Sequence, residues 1–157
     1  MRKLATDEAG LEILHLGDMF RLLATVPIGR IGFMSDGEVT VLPVMFQVDG
    51  QDVVFRTQLG SKLANIEVGH FVCFEADAYD AATRTGWSVL ARGLAEKDSE
   101  AACARLDAPG LQSWGGAAKD CVWVRIRPIS ITGRRIAAAE EAATEEGPAE
   151  EGATEEG

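Results

Sequence analysis

Apolar and polar positions alternate with a period of two over most of this chain, and that pattern predicts a mainly antiparallel β protein. Strands are predicted at about 29–35, 38–48, 51–56, 71–78, 87–97 and 121–132. Asp36-Gly37 and Asp49-Gly50 sit between the first three and are strong two-residue hairpin signals. Residues 18–25 have helical spacing instead, with Met19, Leu22, Leu23 and Val26 along one side and Pro27 as the stop. Shorter helices are predicted at 63–68 and 99–106, and a loop with Pro109-Gly110 and Gly115-Gly116 precedes the last strand. No βαβ alternation and no Gly-x-Gly-x-x-Gly fingerprint occurs, so a doubly wound dinucleotide fold is excluded. Six hairpin-connected strands with a few short helices describe a small closed antiparallel barrel.

Two strands carry further information. In the last, Val122, Val124 and Ile126 face one way and Cys121, Trp123, Arg125 and Arg127 the other. The apolar phase then shifts to Ile129 and Ile131 after Pro128, which predicts a bulge or a corner. The strand at 38–48 is apolar on both faces: Val39, Val41 and Met45 alternate with Leu42, Val44, Phe46 and Val48. One face fills a core, and the other requires a cofactor or a second subunit. Pro43 in the middle of that strand requires an irregularity such as a bulge or an unpaired edge.

With 157 residues, 46% of them hydrophobic and 25% charged, the chain has the size and composition of one soluble domain. No run of eighteen apolar residues is available to span a membrane. Met1-Arg2-Lys3 leads into mixed polar residues rather than an apolar signal core, so a cytoplasmic location is expected. Cys73, Cys103 and Cys121 are odd in number and widely spaced, as reduced thiols would be. The net charge is −10, but eight Glu residues and no cation lie beyond residue 136, so the body itself carries about −2. That tail, 137–157, repeats Glu pairs every five residues without an apolar face and is expected to be disordered. Its charge argues against nucleic acid as a partner. Residues 1–11 are expected to be a flexible N-terminal segment.

Candidate chemistry is sparse apart from one corner. His15 and His70, with no Cys-x-x-Cys, cannot assemble a zinc site, and neither has a nucleophile beside it in a recognisable elbow. Glu75, Asp77 and Asp80 are carboxylates of surface or turn type. The corner is 55–63, where an apolar strand ends in Arg56 and Thr57, Gly60 turns the chain, and Ser61 and Lys62 open a helix. Two cations, two hydroxyls and free helix-start amides within seven residues match the needs of one phosphate group. Further along, Trp87 and Ser88 open a strand after Gly86, where an indole can pack on a flat conjugated ring and a hydroxyl can bond its edge.

The ordered motifs Gly29-Arg30-Ile31-Gly32, Leu42-Pro43-Val44, Phe55-Arg56-Thr57, Gly60-Ser61-Lys62-Leu63, Phe74-Glu75-Ala76-Asp77 and Gly86-Trp87-Ser88-Val89 form a wider pattern, completed by Trp123 to Pro128 and Ile131 to Arg135. Together they resemble the pyridoxamine 5′-phosphate oxidase-like family of flavin-binding split barrels over residues 12–136. The resemblance implies a six-stranded split barrel that forms a homodimer, with FMN in each of two clefts between subunits and a small molecule as substrate. It assigns Arg56, Thr57, Ser61 and Lys62 to the phosphate, and the backbone of Pro43, Val44 and Met45 to the isoalloxazine ring. Trp87 and Ser88 fall near the other side of the ring, contributed by the second chain. It implies no obligatory catalytic acid or base and no metal. One departure is visible: no His follows His70, whereas true pyridoxamine phosphate oxidases carry a C-terminal Arg and His. The chain therefore looks more like the general branch of flavin-dependent oxidoreductases, some of whose members use a deazaflavin or bind haem. A deazaflavin would draw on extra cations such as Arg30 or Arg92, and haem on His15 or His70.

Overall fold

In the computed structural model, residues 4–58, 70–99, 106 and 121–138 are described. The elements are β1 (Glu12–Ile13), α1 (Leu16–Leu23), β2 (Ile28–Ser35), β3 (Glu38–Asp49), β4 (Asp52–Gln58), β5 (His70–Asp80), β6 (Thr85–Asp98) and β7 (Cys121–Ile136). The helices predicted at 63–68 and 99–106 lie outside the described residues, apart from Ser99 and Leu106.

The sheet runs β1-β7-β4-β3-β2-β5-β6, all antiparallel, and a further β6–β7 ladder closes it into a ring. Among the described residues seven strands form it, where six are expected from the sequence. The additional one, β1, pairs Glu12 with Arg135 and Ile13 with Arg134. Two residues are too few to display an alternation, so periodicity cannot reveal this strand. It occupies the edge of β7 beyond the end of the β4 ladder, which stops at Val53↔Ile126.

Turn chemistry fixes the register. Asp36 and Gly37 both take positive φ (53° and 80°), the requirement of a type I′ hairpin. The second hairpin turns one residue later than its sequence signal implies. Asp49 pairs with Asp52 as the last rung, leaving Gly50 (φ 65°) and Gln51 at the tip. Glycine at the first tip position is what a type II′ turn favours. The register of β6 on β7 slips between Arg92 and Gly93, which face Ser130 and Pro128, so Ile129 is the bulged residue. This is the irregularity expected at Pro128. A Cβ on Gly93 would collide with the carbonyl of Arg127. Pro43 meets its expected condition too: it pairs with Arg30 of β2, while its other edge lies beyond the β3–β4 ladder.

The core lies inside the ring. Ile31, Val53, Phe55, Phe74, Val89 and Ile126 are fully buried, and Phe46 meets Phe74 edge-on at 4.8 Å between centroids. Helix α1 closes one end of the ring by burying Met19 and Leu23 beside Leu14. It begins at Leu16 and ends at Leu23, two residues ahead of its predicted span. On β3 the two apolar faces separate. Val44 and Phe46 point into the core, while Val39 and Val41 are 76% and 59% exposed.

A second buried group lies outside the ring, where Val54 and Trp123 pack with Leu106. Beside it Arg125, 7% exposed, ties three segments together. Its Nε donates to Asp98 (2.6 Å), Nη1 to Asp52 (3.0 Å) and Nη2 to Asp49 (2.8 Å). Burial works against its charge, but the hydrogen bonds to Asp98, Asp49 and Asp52 outweigh it and hold its pKa above the ordinary value. Asp49 and Asp52, the last rung of the β3–β4 ladder, thus both reach Arg125. Replacing Arg125 with Met keeps the bulk but leaves three clustered carboxylates uncompensated. A loss of about 3–5 kcal/mol is expected in urea unfolding at neutral pH.

Candidate functional site

The β3–β4 ladder ends at Phe46↔Phe55. Beyond it the strands part: β3 continues toward its start bonded to β2, and β4 continues as Arg56, Thr57 and Gln58 bonded to β7. Met45 and Arg56 are the first residues past the last rung. A fork therefore opens with Pro43, Val44 and Met45 on one limb and Arg56 and Thr57 on the other. Val44 is buried in the core, and Pro43 and Met45 are half-buried on the outer face. Arg56 pairs with Trp123 of β7 and lays its guanidinium over the indole, 5.3 Å from the ring centre. That stacking holds the planar cation over β7, on the face that carries Val54 and Trp123. Thr57 is buried at 7% exposure. Ser61 and Lys62, the other two expected phosphate ligands, lie outside the described residues.

Trp87 and Ser88 are elsewhere. They lie near the β5–β6 hairpin, opposite Ala78 and Asp77 on one side and Arg135 and Arg134 on the other. By way of β7, Arg56 and Ser88 are two strand spacings apart but displaced along it, since Arg56 faces Trp123 and Ser88 faces Arg134, eleven residues further on. Trp87 packs against the core, and Ser88 points to the opposite face and is exposed. The structure thus gathers the residues of the fork and sets this pair apart from them.

Two adjoining cavities, about 430 Å³ and about 220 Å³, flank Trp87. Both are lined by Tyr79, Gly86, Trp87, Arg135 and Ile136, and the smaller also by Leu11 and Arg134. Tyr79 and the arginine pair had no assigned role in the sequence. The signals that could have marked them are the chain's one tyrosine just before the Asp80 turn, and adjacent arginines after Gly133. An N-terminal hairpin holds these arginines. Thr6 bridges to Glu12, Ile13 N–H donates to Ala5, and Leu14 N–H donates to Gly133 at 3.1 Å. Arg134 Nε donates to Asp7 (2.7 Å) and Arg135 Nε to Glu12 (2.6 Å).

The other candidates are accounted for locally. Arg30, opposite Pro43, is bonded to Asp77 (3.1 Å) and Glu75 (3.3 Å), and this raises its pKa. Burial and the neighbouring charge of Asp77 push the Glu75 carboxyl upward, against the pull of Arg30. His15 stands at the N-cap of α1, and His70 meets Phe33 edge-on at 6.4 Å. Neither lines the cavities at Trp87. Cys73 is a free thiol, and the described residues contain no group of three or more metal-ligating side chains. Among the same residues no helix is long and apolar enough to cross a membrane.

Comparison with known proteins shows the family and the fold. Residues 17–135 match the family profile of pyridoxamine 5′-phosphate oxidase. An uncharacterized protein of Mycobacterium tuberculosis is 34% identical over 141 residues, covering 85% of this chain and 92% of its own. Among solved structures, an FAD-binding protein from Mycobacterium smegmatis is 35% identical, with a TM-score of 0.66 over 80% of this chain and 99% of the other. A candidate pyridoxamine 5′-phosphate oxidase from Corynebacterium glutamicum is 32% identical, with a TM-score of 0.69 over 80% and 98%.

Acid should release the N-terminal hairpin. The hydrogen bond from Arg134, followed by that from Leu11, holds the Asp7 carboxyl below its ordinary pKa. A group depressed in the folded state contributes stability above its unfolded pKa and loses it as pH falls through the folded one. The exchange protection of the Leu14 amide should therefore drop below about pH 4 in the native chain. In Asp7→Asn the protection should be lower at neutral pH and insensitive to acid over the same range.

Proposed function

The chain belongs to the pyridoxamine 5′-phosphate oxidase family, and on that premise we propose that it is a flavin-binding oxidoreductase acting on a small molecule. The observation that carries this reading is the fork at Phe46↔Phe55, with Arg56 stacked on Trp123 at its lip. The donor set fits a flavin phosphate: an oriented guanidinium, the Thr57 hydroxyl, and the Ser61 and Lys62 side chains that follow four and five residues after it in sequence. The Mycobacterium smegmatis relative binds FAD. FMN and FAD share the phosphate next to the ribityl chain, so this corner suits either.

When bound, the flavin supplies hydride or electron transfer. The protein's own part is to hold and orient. Arg56 and Lys62 neutralise the phosphate, Thr57 and Ser61 complete its hydrogen bonds, and the Pro43–Met45 backbone borders the ring. Arg30 is already bound to two carboxylates, which disfavours a deazaflavin with its longer acidic tail.

A second copy of the chain would complete the cleft. Trp87 and Ser88 stand apart from the fork within one protomer, so a ring contact from them would come from a partner. The outer face of the sheet supports this. Met34, Val39, Val41, Phe71 and Leu94 lie on it and are each at least 40% exposed. The ladders place all five on the same face, next to Pro43 and Met45. An apolar surface of that extent is characteristic of an interface.

Titration with FMN and with FAD tests the assignment. Each charged hydrogen bond contributes about 1.5–3 kcal/mol, so Arg56→Ala should weaken the preferred flavin roughly tenfold to a hundredfold. Unchanged affinity would refute the phosphate corner. Mixing Arg56→Ala with Trp87→Ala protein tests the shared cleft, because a mixed dimer places both defects in one cleft and leaves the other intact. Recovery of high-affinity flavin binding at up to half of the sites in the mixed dimers is the expected result, and no recovery on mixing would refute it.

A further inference from the structure

We propose that the outer sheet face carries a charge lock for a second copy of the chain: the partner's Arg92 seats on the Glu75–Asp77 carboxylate pair, and the contact is repeated about the two-fold axis. This deepens the reading above and rests on that face being the dimer interface. The ladders lay the face out. Arg30 of β2 stands opposite Pro43 of β3 and Glu75 of β5, with Asp77 two residues further along β5. Val41, Gly32, Cys73 and Arg92 form the adjoining row across four strands. The exposed Met34, Val39, Phe71 and Leu94 lie beyond it, so Arg92 stands between the charged group and the apolar patch.

The charges on this face are unequal. Arg30 Nη1 is shared by Asp77 (3.1 Å) and Glu75 (3.3 Å), two carboxylates on one guanidinium, which leaves one negative charge over. The Glu75 carboxyl registers the shortfall: burial first, then the charge of Asp77, push its pKa up against the pull of Arg30. The β7 arginines on the outer side are all matched, Arg125 by three aspartates, Arg127 by Glu96 and Arg134 by Asp7. Arg92 differs. It is exposed and makes no ion pair among the described residues, although it lies diagonal to Glu75 across the β5–β6 ladder. A two-fold interface presents the same patch twice, so pairing two such faces brings two excess negative charges out of water together. That opposes the apolar contact unless a cation meets each of them. Each copy supplies one uncommitted cation on the same face, and the two contacts close reciprocally.

Sedimentation equilibrium of the full-length chain, without added flavin, tests this. The native chain is expected to dimerise. Arg92→Glu and Glu75→Lys should each weaken the dimer at least about tenfold, because each homodimer sets like charges together at both contacts. Mixed in equal amounts, the two variants should associate at least about tenfold more tightly than either alone. In the heterodimer the new glutamate meets the new lysine at one contact, and the other contact is native. The neutral changes give a second reading: Arg92→Gln should weaken the native dimer about fivefold and the Glu75→Gln dimer less than about twofold. Native-strength dimers of both reversed variants overturn the lock, as does a mixture of folded variants that gains nothing over its parts. An equal effect of Arg92→Gln in both backgrounds overturns it too. A native chain that stays monomeric removes the interface reading and the lock together, whereas a native dimer indifferent to these changes removes the lock alone.

Discussion

The end of the β3–β4 ladder at Phe46↔Phe55 is the constraint around which this molecule is arranged. Phe46 and Phe55 are buried in the core, and Phe46 meets Phe74 across the barrel, so the last rung is anchored from within. Past it each strand keeps one hydrogen-bonded neighbour, β2 for β3 and β7 for β4. Pro43 is compatible with this arrangement because its missing N–H lies in a stretch with only one neighbouring strand. The ring is nonetheless closed, because β6 pairs along most of β7 on its other edge.

Arginine performs four distinct tasks in the structure, and burial separates them. Arg125 is almost fully enclosed with three aspartates and joins the β3–β4 hairpin to β6 and β7. Arg30 is an exposed centre for two carboxylates on the outer face. Arg134 and Arg135 are intermediate and hold the N-terminal hairpin against the end of β7. Arg56, just past the last rung of the β3–β4 ladder, stacks on the indole of Trp123.

The fold was legible because its strands are long and their alternation is clean. The bulge at Ile129 follows from the phase change at Pro128, and the unpaired edge at Pro43 follows from the chemistry of proline. Strand β1 was not legible, since two residues carry no period. The turn lies at Gly50-Gln51, one residue later than Asp49-Gly50 implies, and Asp49 in the last rung reaches Arg125, a contact too distant in sequence to be read locally. Of the expected phosphate corner, Arg56 and Thr57 lie at the end of β4, and Ser61 and Lys62 lie outside the described residues. The role of Tyr79, Arg134 and Arg135 was invisible because they meet only when the β5–β6 hairpin, the end of β7 and the N-terminal hairpin come together.

By itself the amino-acid order determined the strand set, the first hairpin turn, the helix that closes the core and the cluster of phosphate-type donors near residue 56. These depend on period, turn chemistry and near neighbours, all of which are local along a chain. Tertiary structure decided where the ladder stops, which arginines are already matched, and that Trp87 stands apart from Arg56. Those outcomes are set by register and by contacts between residues up to 127 positions apart, as in Asp7 with Arg134, and pairings at that range exist only once the barrel has closed.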